Sequence, residues 1–141
     1  MATVNPYLNF AGNTEEAFNF YKSVFGGEFS FLQRFKDTPH AGELPAEEQD
    51  KIMHIALPIG ENMVLMATDT LKSMGQSVHP GDNMSLAISP DNREDTERYF
   101  NALADGGKVV MPLEDVFWGA YFGMLVDKFG IQWMVNFEAK Q

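Results

Sequence analysis

The chain has 141 residues, enough for one domain whose core takes roughly two-thirds of the unfolded surface out of water. Hydrophobic residues make up 45% and Phe alone occurs 12 times, which excludes wholesale disorder. Twenty acidic against ten basic residues leave a net charge of −10, which repels phosphate backbones and anionic lipids, so neither nucleic acid nor membrane is expected as a partner.

There are no cysteines, which removes disulfides, thiolate nucleophiles and Cys-ligated zinc or iron–sulfur centres. No run approaches the ~20 apolar residues of a membrane span. The opening residues, Met1-Ala2-Thr3-Val4-Asn5-Pro6, carry neither a basic flank nor an apolar signal core, so a cytoplasmic location is expected.

In chain order, residues 4–10 read as a strand. A helix follows, because Ala17, Phe20, Tyr21, Val24 and Phe25 fall at i, i+3, i+4, i+7 and i+8. Asn13 is placed to cap its first amides, Glu16 to reach back to the cap, and Gly26 or Gly27 to end it in a left-handed conformation. Residues 28–35 form a second predicted strand. Residues 37–51, with five acids, one Lys and two Pro, read as a solvated loop with a helical turn after Pro45. Residues 53–59 and 63–67, around Gly60-Glu61-Asn62, read as a hairpin. Residues 68–83 contain Gly75, Pro80 and Gly81 and bridge to the second half. That bridge reads as a solvated linker, with a lid or an arm gripping a partner subunit as the alternative.

The second half repeats the first. Asn92 corresponds to Asn13, 79 residues earlier; Glu94 and Asp95 to Glu15 and Glu16; Tyr99 and Phe100 to Phe20 and Tyr21; Leu103 to Val24; and Gly106 to Gly27. Strands are predicted at 84–89 and 108–113. A further hairpin joins 121–126 to 131–135 through Asp127-Lys128-Phe129-Gly130, with Met134 answering Met66 at an offset of 68. The result is strand–helix–strand–strand–strand twice, an α+β chain. One such unit leaves a sheet face it cannot cover alone, so 1–141 is read as one domain: a first βαβββ module at 1–69, a connector at 70–82 and a second module at 83–141.

No Gly-rich phosphate loop opens a helix; Gly26-Gly27 and Gly106-Gly107 close helices instead. The GxSxG elbow of the hydrolases is missing too. His40 and His79 lie in polar loops and read as solvated. His54 sits inside an apolar strand, where alternation puts it with Ala56 and Pro58 on one face and Met53, Ile55 and Leu57 on the other. It is either a satisfied half-buried histidine or a base or donor facing a ligand. Asp69 and Asp127 fit turn-stabilising roles. The cluster Phe117-Trp118-Gly119-Ala120-Tyr121-Phe122, with Trp133, suits either a core or the wall of a pocket for a small amphipathic molecule. The nine methionines divide the same way, between deformable filling and adaptable lining.

Several runs carry a family resemblance: Asn5-Pro6-Tyr7-Leu8, Ala17-Phe18-Asn19-Phe20-Tyr21-Lys22-Ser23-Val24-Phe25-Gly26-Gly27, and Phe117-Trp118-Gly119 leading to Asp127-Lys128-Phe129-Gly130-Ile131-Gln132-Trp133. Together, over essentially the whole chain, they resemble the PhnB-like branch of the vicinal oxygen chelate superfamily, which includes glyoxalase I, bleomycin-resistance proteins and extradiol dioxygenases. The resemblance implies a cupped eight-stranded mixed sheet with helices on its outer face, and a homodimer. Its enzymes hold a divalent metal on the first and last strands of each module. Those positions fall near Pro6, Met66, Ser85 and Met134, which include no ligand for a hard cation, so no metal is expected; a site rebuilt around His54 and Asp69 is the alternative. Some relatives carry a demethylubiquinone methyltransferase label, but the Gly-rich loop on a doubly wound sheet that such chemistry ordinarily uses is not visible.

The leading expectation is a PhnB-like homodimer that binds a small, partly apolar molecule without a metal, lined by His54, Trp118, Tyr121, Trp133 and Tyr7. A metal-dependent lyase, isomerase or dioxygenase with a rearranged site is the second reading, and a non-catalytic dimerisation scaffold the third.

Overall fold

The structure, a computed structural model, describes residues 2–39 and 41–138. It contains two compact units, 1–79 and 80–141. Each holds a four-stranded mixed sheet and one long helix in the βαβββ order.

In the first unit β1 (Tyr7–Phe10) leads into α1 (Thr14–Phe25), and β2 (Phe31–Arg34), β3 (Ile52–Ile59) and β4 (Met63–Asp69) follow. The sheet order is β1-β4-β3-β2, with β1 parallel to β4 and the other pairs antiparallel. The helix packs on β3 and β4. Its buried residues are Thr14, Ala17, Phe18, Tyr21 and Val24. Phe18 therefore occupies the buried stripe that the periodicity assigns to Phe20. Both choices satisfy helical spacing, and the sheet beneath selects between them. Phe18, Tyr21, Ile55, Leu57 and Leu65 are all fully buried, each contributing roughly 1.5–3 kcal/mol of hydrophobic stabilisation. The chain leaves the helix at Gly26, φ 79°, whose N–H bonds to the Lys22 carbonyl; a side chain there would be strained.

The 37–51 loop contains the expected helical turn, α2 (Ala46–Gln49). The Glu48 carboxylate, buried in the fold, accepts hydrogen bonds from the Ser73 hydroxyl and the Ser73 N–H (3.2 Å), tying the start of the connector to this loop. The boundary between the two units, after His79, falls inside the 70–82 stretch.

In the second unit β5 (Leu86–Ile88), α3 (Arg93–Ala104), β6 (Lys108–Asp115), β7 (Ala120–Val126) and β8 (Gln132–Glu138) repeat the plan, with sheet order β5-β8-β7-β6 and β5 parallel to β8. The helix buries Thr96, Phe100 and Leu103 against β6, β7 and β8. Its packing requires Gly123. A Cβ there would lie 2.6 Å from Phe100 Cε2, so the ring of Phe100 fills the space a side chain would take.

The two helices start differently. Asn92 caps α3 as expected, its Oδ1 accepting the Asp95 N–H at 2.7 Å. Asn13 stands at the equivalent place, but its side chain makes no capping bond. Asp69 takes over from the far end of β4, its two oxygens accepting Thr14 N–H at 2.9 Å and Ile52 N–H at 2.8 Å. The local turn role expected of Asp69 is thus replaced by a long-range clamp. Asp127 keeps its turn role, accepting from Phe129 N–H (2.8 Å) and Ile131 N–H (3.0 Å).

Candidate functional site

Strand pleat turns alternate residues to opposite faces, and the register decides which residues share one. In the first sheet, Leu8, Phe10, Ile55, Leu57, Leu65 and Ala67 are buried; they form the face covered by α1. The opposite, open face holds a row running through all four strands. Tyr7 pairs with Met66, Met66 with Ala56, and Ala56 with Phe31. No Asp, Glu, Lys or Arg shares this face between Tyr7 and Thr68, up to the irregularity at Gln33/Arg34. In a chain with 30 charged residues that is an unusually neutral surface.

His54 lies on this face, one pleat from Ala56, and bridges the two aromatic ends of the row. Its Nδ1 shares a 3.2 Å hydrogen bond with the Tyr7 hydroxyl, and the two rings stack at 5.5 Å with planes 28° apart. Phe31 approaches from the other side, its centroid 5.3 Å from the imidazole at a 55° tilt. Tyr7 and Phe31 remain 44% and 48% exposed. The three rings share the face of Ala56, which is itself 5% exposed, and together they present an aromatic surface. The Tyr7 bond fixes the imidazole's orientation, and Nε2 is the ring's second polar atom. Of the residues the sequence proposes as lining, Tyr7 and His54 come together here; Phe31 is not among them, because its place in the row appears only once β2 is known to pair with β3.

The second unit separates the other candidates. Trp118, 52% exposed, sits in the turn entering β7, edge-on to Phe117 at 5.0 Å and to Phe122 at 5.9 Å. Tyr121 and Trp133 do not join it, because the pleat carries both to the face covered by α3. The Tyr121 hydroxyl donates to Glu97 at 3.0 Å and its ring lies 3.7 Å beneath the Arg93 guanidinium; burial, then the Glu97 carboxylate, raises its pKa. Trp133 is 1% exposed and its indole N–H donates to Asp127 Oδ2 at 2.8 Å. Trp133 is a core residue and Tyr121 a half-buried one held against α3, so neither lies on the open face. The sequence offers each as an aromatic next to an open-face residue, Phe122 or Met134, and parity decides between neighbours.

The ladder also displaces the metal positions that the resemblance implies, by one residue in the first unit and two in the second. The partner of Met66 in the parallel ladder is Tyr7, not Pro6, and the partner of Met134 is Ala87, not Ser85. Thioethers, a phenol and a methyl group do not fit a hard divalent ion, and among the described residues no group of three or more His, Asp or Glu side chains could hold one. Nor do His54 and Asp69 rebuild the site. Asp69 is 2% exposed with both oxygens committed to backbone N–H groups, and parity puts it on the face opposite His54.

Of the remaining histidines, His79 Nε2 bonds to the Ser77 hydroxyl at 3.0 Å on the surface, and His40 lies outside the described residues. A polar cleft of about 200 Å³ beside the start of α1 is lined by Glu15, Arg34, Asp50 and Lys51, among others. Its cations are already engaged: Arg34 grips Glu15 through two bonds of 3.0 and 2.6 Å and the Asp50 carbonyl at 2.8 Å, while Lys51 donates to the Gly12 carbonyl. The Arg34 bond holds the Glu15 carboxyl below its usual range. This cleft ties together α1, β2 and the 37–51 loop. Among the described residues no helix is long and apolar enough to cross a membrane.

Comparison with known proteins agrees with this architecture. Residues 2–136 match the model of the 3-demethylubiquinone-9 3-methyltransferase family. Protein YjdN of Escherichia coli (strain K12) is 30% identical over 146 residues, covering 98% of this chain and 97% of that protein. The crystal structure of PA1353 from Pseudomonas aeruginosa is 41% identical with a TM-score of 0.86, over 99% of this chain and 100% of that one. The PhnB protein from Bacillus cereus is 27% identical with a TM-score of 0.75, over 96% and 99%. With its paired βαβββ units and its match along nearly the whole length, the chain belongs to the PhnB-like 3-demethylubiquinone-9 3-methyltransferase family.

Proposed function

We propose that this PhnB-like protein binds a small, partly apolar molecule on the open face of the first sheet, without a divalent metal, and does so as a cytoplasmic homodimer. The observation that carries the reading is the cluster of Tyr7, His54 and Phe31 around Ala56 on a face without charged strand residues. Flat apolar rings gain from stacking and from leaving water, and one acceptor or donor near the imidazole edge sets their orientation. The methyltransferase in the family's description is not carried over: both sheets are mixed rather than doubly wound and parallel, so the fold that usually presents S-adenosylmethionine is not the one built here.

The test is a thermal-shift screen of small aromatic and amphipathic compounds, followed by titration calorimetry on the best of them. A true ligand raises the unfolding temperature with concentration. Tyr7→Ala, His54→Ala and Phe31→Ala are each expected to weaken it about tenfold, roughly 1.4 kcal/mol. Sedimentation equilibrium checks the dimer. A panel without a single shift, or a ligand whose affinity survives all three substitutions, overturns the assignment.

A further inference from the structure

We propose that the second sheet carries a site for a soft monovalent cation, Cu(I) or its surrogate Ag(I), built from the thioethers of Met111, Met124 and Met134. This rests on residues of the second sheet and does not depend on the small-molecule reading.

The register brings the three together. Met124 of β7 pairs with Met134 of β8 on one side and with Met111 of β6 on the other, and Ala87 completes the row. Neighbouring strands lie about 4.8 Å apart, and methionine has three rotatable bonds, so three sulfurs from adjacent strands can converge above the middle one. The row lies on the face opposite α3, since the alternate residues Gly123, Leu125, Trp133 and Val135 are buried. Met111 is 43% exposed and the other two are half-buried, which leaves a route of entry.

Two irregularities in β6 make Met111 part of the row. In a regular strand Val109, Met111 and Leu113 share a face. Here the register shifts between Val109 and Met111 and again between Met111 and Glu114. Leu113 stays on the covered side, where its Cδ2 lies 3.1 Å from a Cβ built on Gly123. Met111 is turned instead to the side of Met124. Bulges commonly re-aim a side chain in this way.

The chemistry of the row is selective. Uncharged thioethers favour soft ions such as Cu(I) and offer little to Mg²⁺, Ca²⁺ or Mn²⁺. On the same face, two residues along β8 from Met134, Asn136 Oδ1 is buried without a hydrogen-bond partner, and an unpaired acceptor favours positive charge nearby. The net charge of −10 draws cations to the molecule as a whole. Thioethers also have no proton to lose, so binding here releases none, unlike binding to thiolate or imidazole.

The experiment is competition for Cu(I), under reductant, against a chromophoric Cu(I) chelator, with stoichiometry read by native mass spectrometry and Ag(I) run in parallel. One ion per chain is expected, with an affinity constant across about pH 5 to 8, where a histidine ligand would impose a fall. Met111→Leu, Met124→Leu and Met134→Leu preserve core volume. Each should weaken binding at least tenfold, and the triple variant should abolish it. Met74→Leu and Met84→Leu, at exposed positions elsewhere, should change nothing. Absence of 1:1 binding by the wild type, retention of binding by the triple variant, equal loss in the Met74 and Met84 variants, or a fall in affinity as histidine protonates each overturns the proposal.

Discussion

The two units share a backbone plan and differ almost everywhere that plan leaves free. Position for position, the open-face row of the first sheet is Tyr7, Met66, Ala56 and Phe31, and that of the second is Ala87, Met134, Met124 and Met111. Only the methionine of the last strand is common to both. One row is rigid and aromatic, the other flexible and sulfur-rich. Main-chain hydrogen bonds must be satisfied in either copy, so ladder order and register persist, while side chains on an uncovered face answer to no such demand. Under the helices the same substitution of means appears. Ile55 fills the place in the first unit that Gly123 and the ring of Phe100 share in the second.

The helix starts offer the sharpest way to break this comparison. Asp69→Ala leaves the Thr14 and Ile52 N–H groups buried without an acceptor and should cost roughly 3 kcal/mol in urea unfolding. A loss no larger than that of the local cap in the second unit would show that the clamp contributes nothing special. Next comes Gly123→Ala, expected to cost about 2 kcal/mol because the new methyl overpacks against Phe100. Restoration by a second change, Phe100→Leu, would sharpen the assignment, whereas an unaffected single variant would remove it. Asn92→Ala should cost about 1 kcal/mol, the usual value of one capping bond.

The smallest effect concerns pH. The Arg34 guanidinium holds Glu15 below its ordinary pKa of 4.5 in the folded chain. Stability from this pair is therefore fully present above the unfolded value and lost as pH falls through the depressed one. With the Glu15 side chain 48% exposed, solvent screening limits the pair to about 0.5 kcal/mol. Glu15→Gln should flatten the acid limb of a stability–pH curve by that amount, and an unchanged limb would mean that the bond is screened out entirely.

Much of the architecture was legible because the sequence states it twice. Asn13 and Asn92, with the aromatic pairs behind them, place both helices, and the two hairpins follow from their turns. What the repeat does not contain is parity. Helix to helix the copies are 79 residues apart, yet the ladder matches Tyr7 with Ala87, 80 apart, because the path from Ala87 to the start of α3 at Arg93 is one residue shorter than that from Tyr7 to the start of α1 at Thr14. The expected metal positions, Pro6 and Ser85, therefore fall one and two residues short of the ladder partners of Met66 and Met134. Parity likewise turns Tyr121 and Trp133 to the side of α3 and Phe122 and Met134 to the opposite face of the sheet. Asp69 was misread for another reason: its partners, 55 and 17 residues away, have no local signature. Phe31 needed knowledge of strand order before it could be set beside His54.

The irregular path of β6 has a bearing on how the protein behaves at high concentration. β6 is the last strand in its sheet and shows Val109, Val110 and Met111 to solvent, a stretch that would invite another chain to add a strand. A strand interrupted twice, with Pro112 withholding an N–H within the second interruption, offers an incoming chain no long regular ladder to join. Replacing Pro112 and straightening the strand would therefore be the shortest route to turning this molecule into a seed for fibrils.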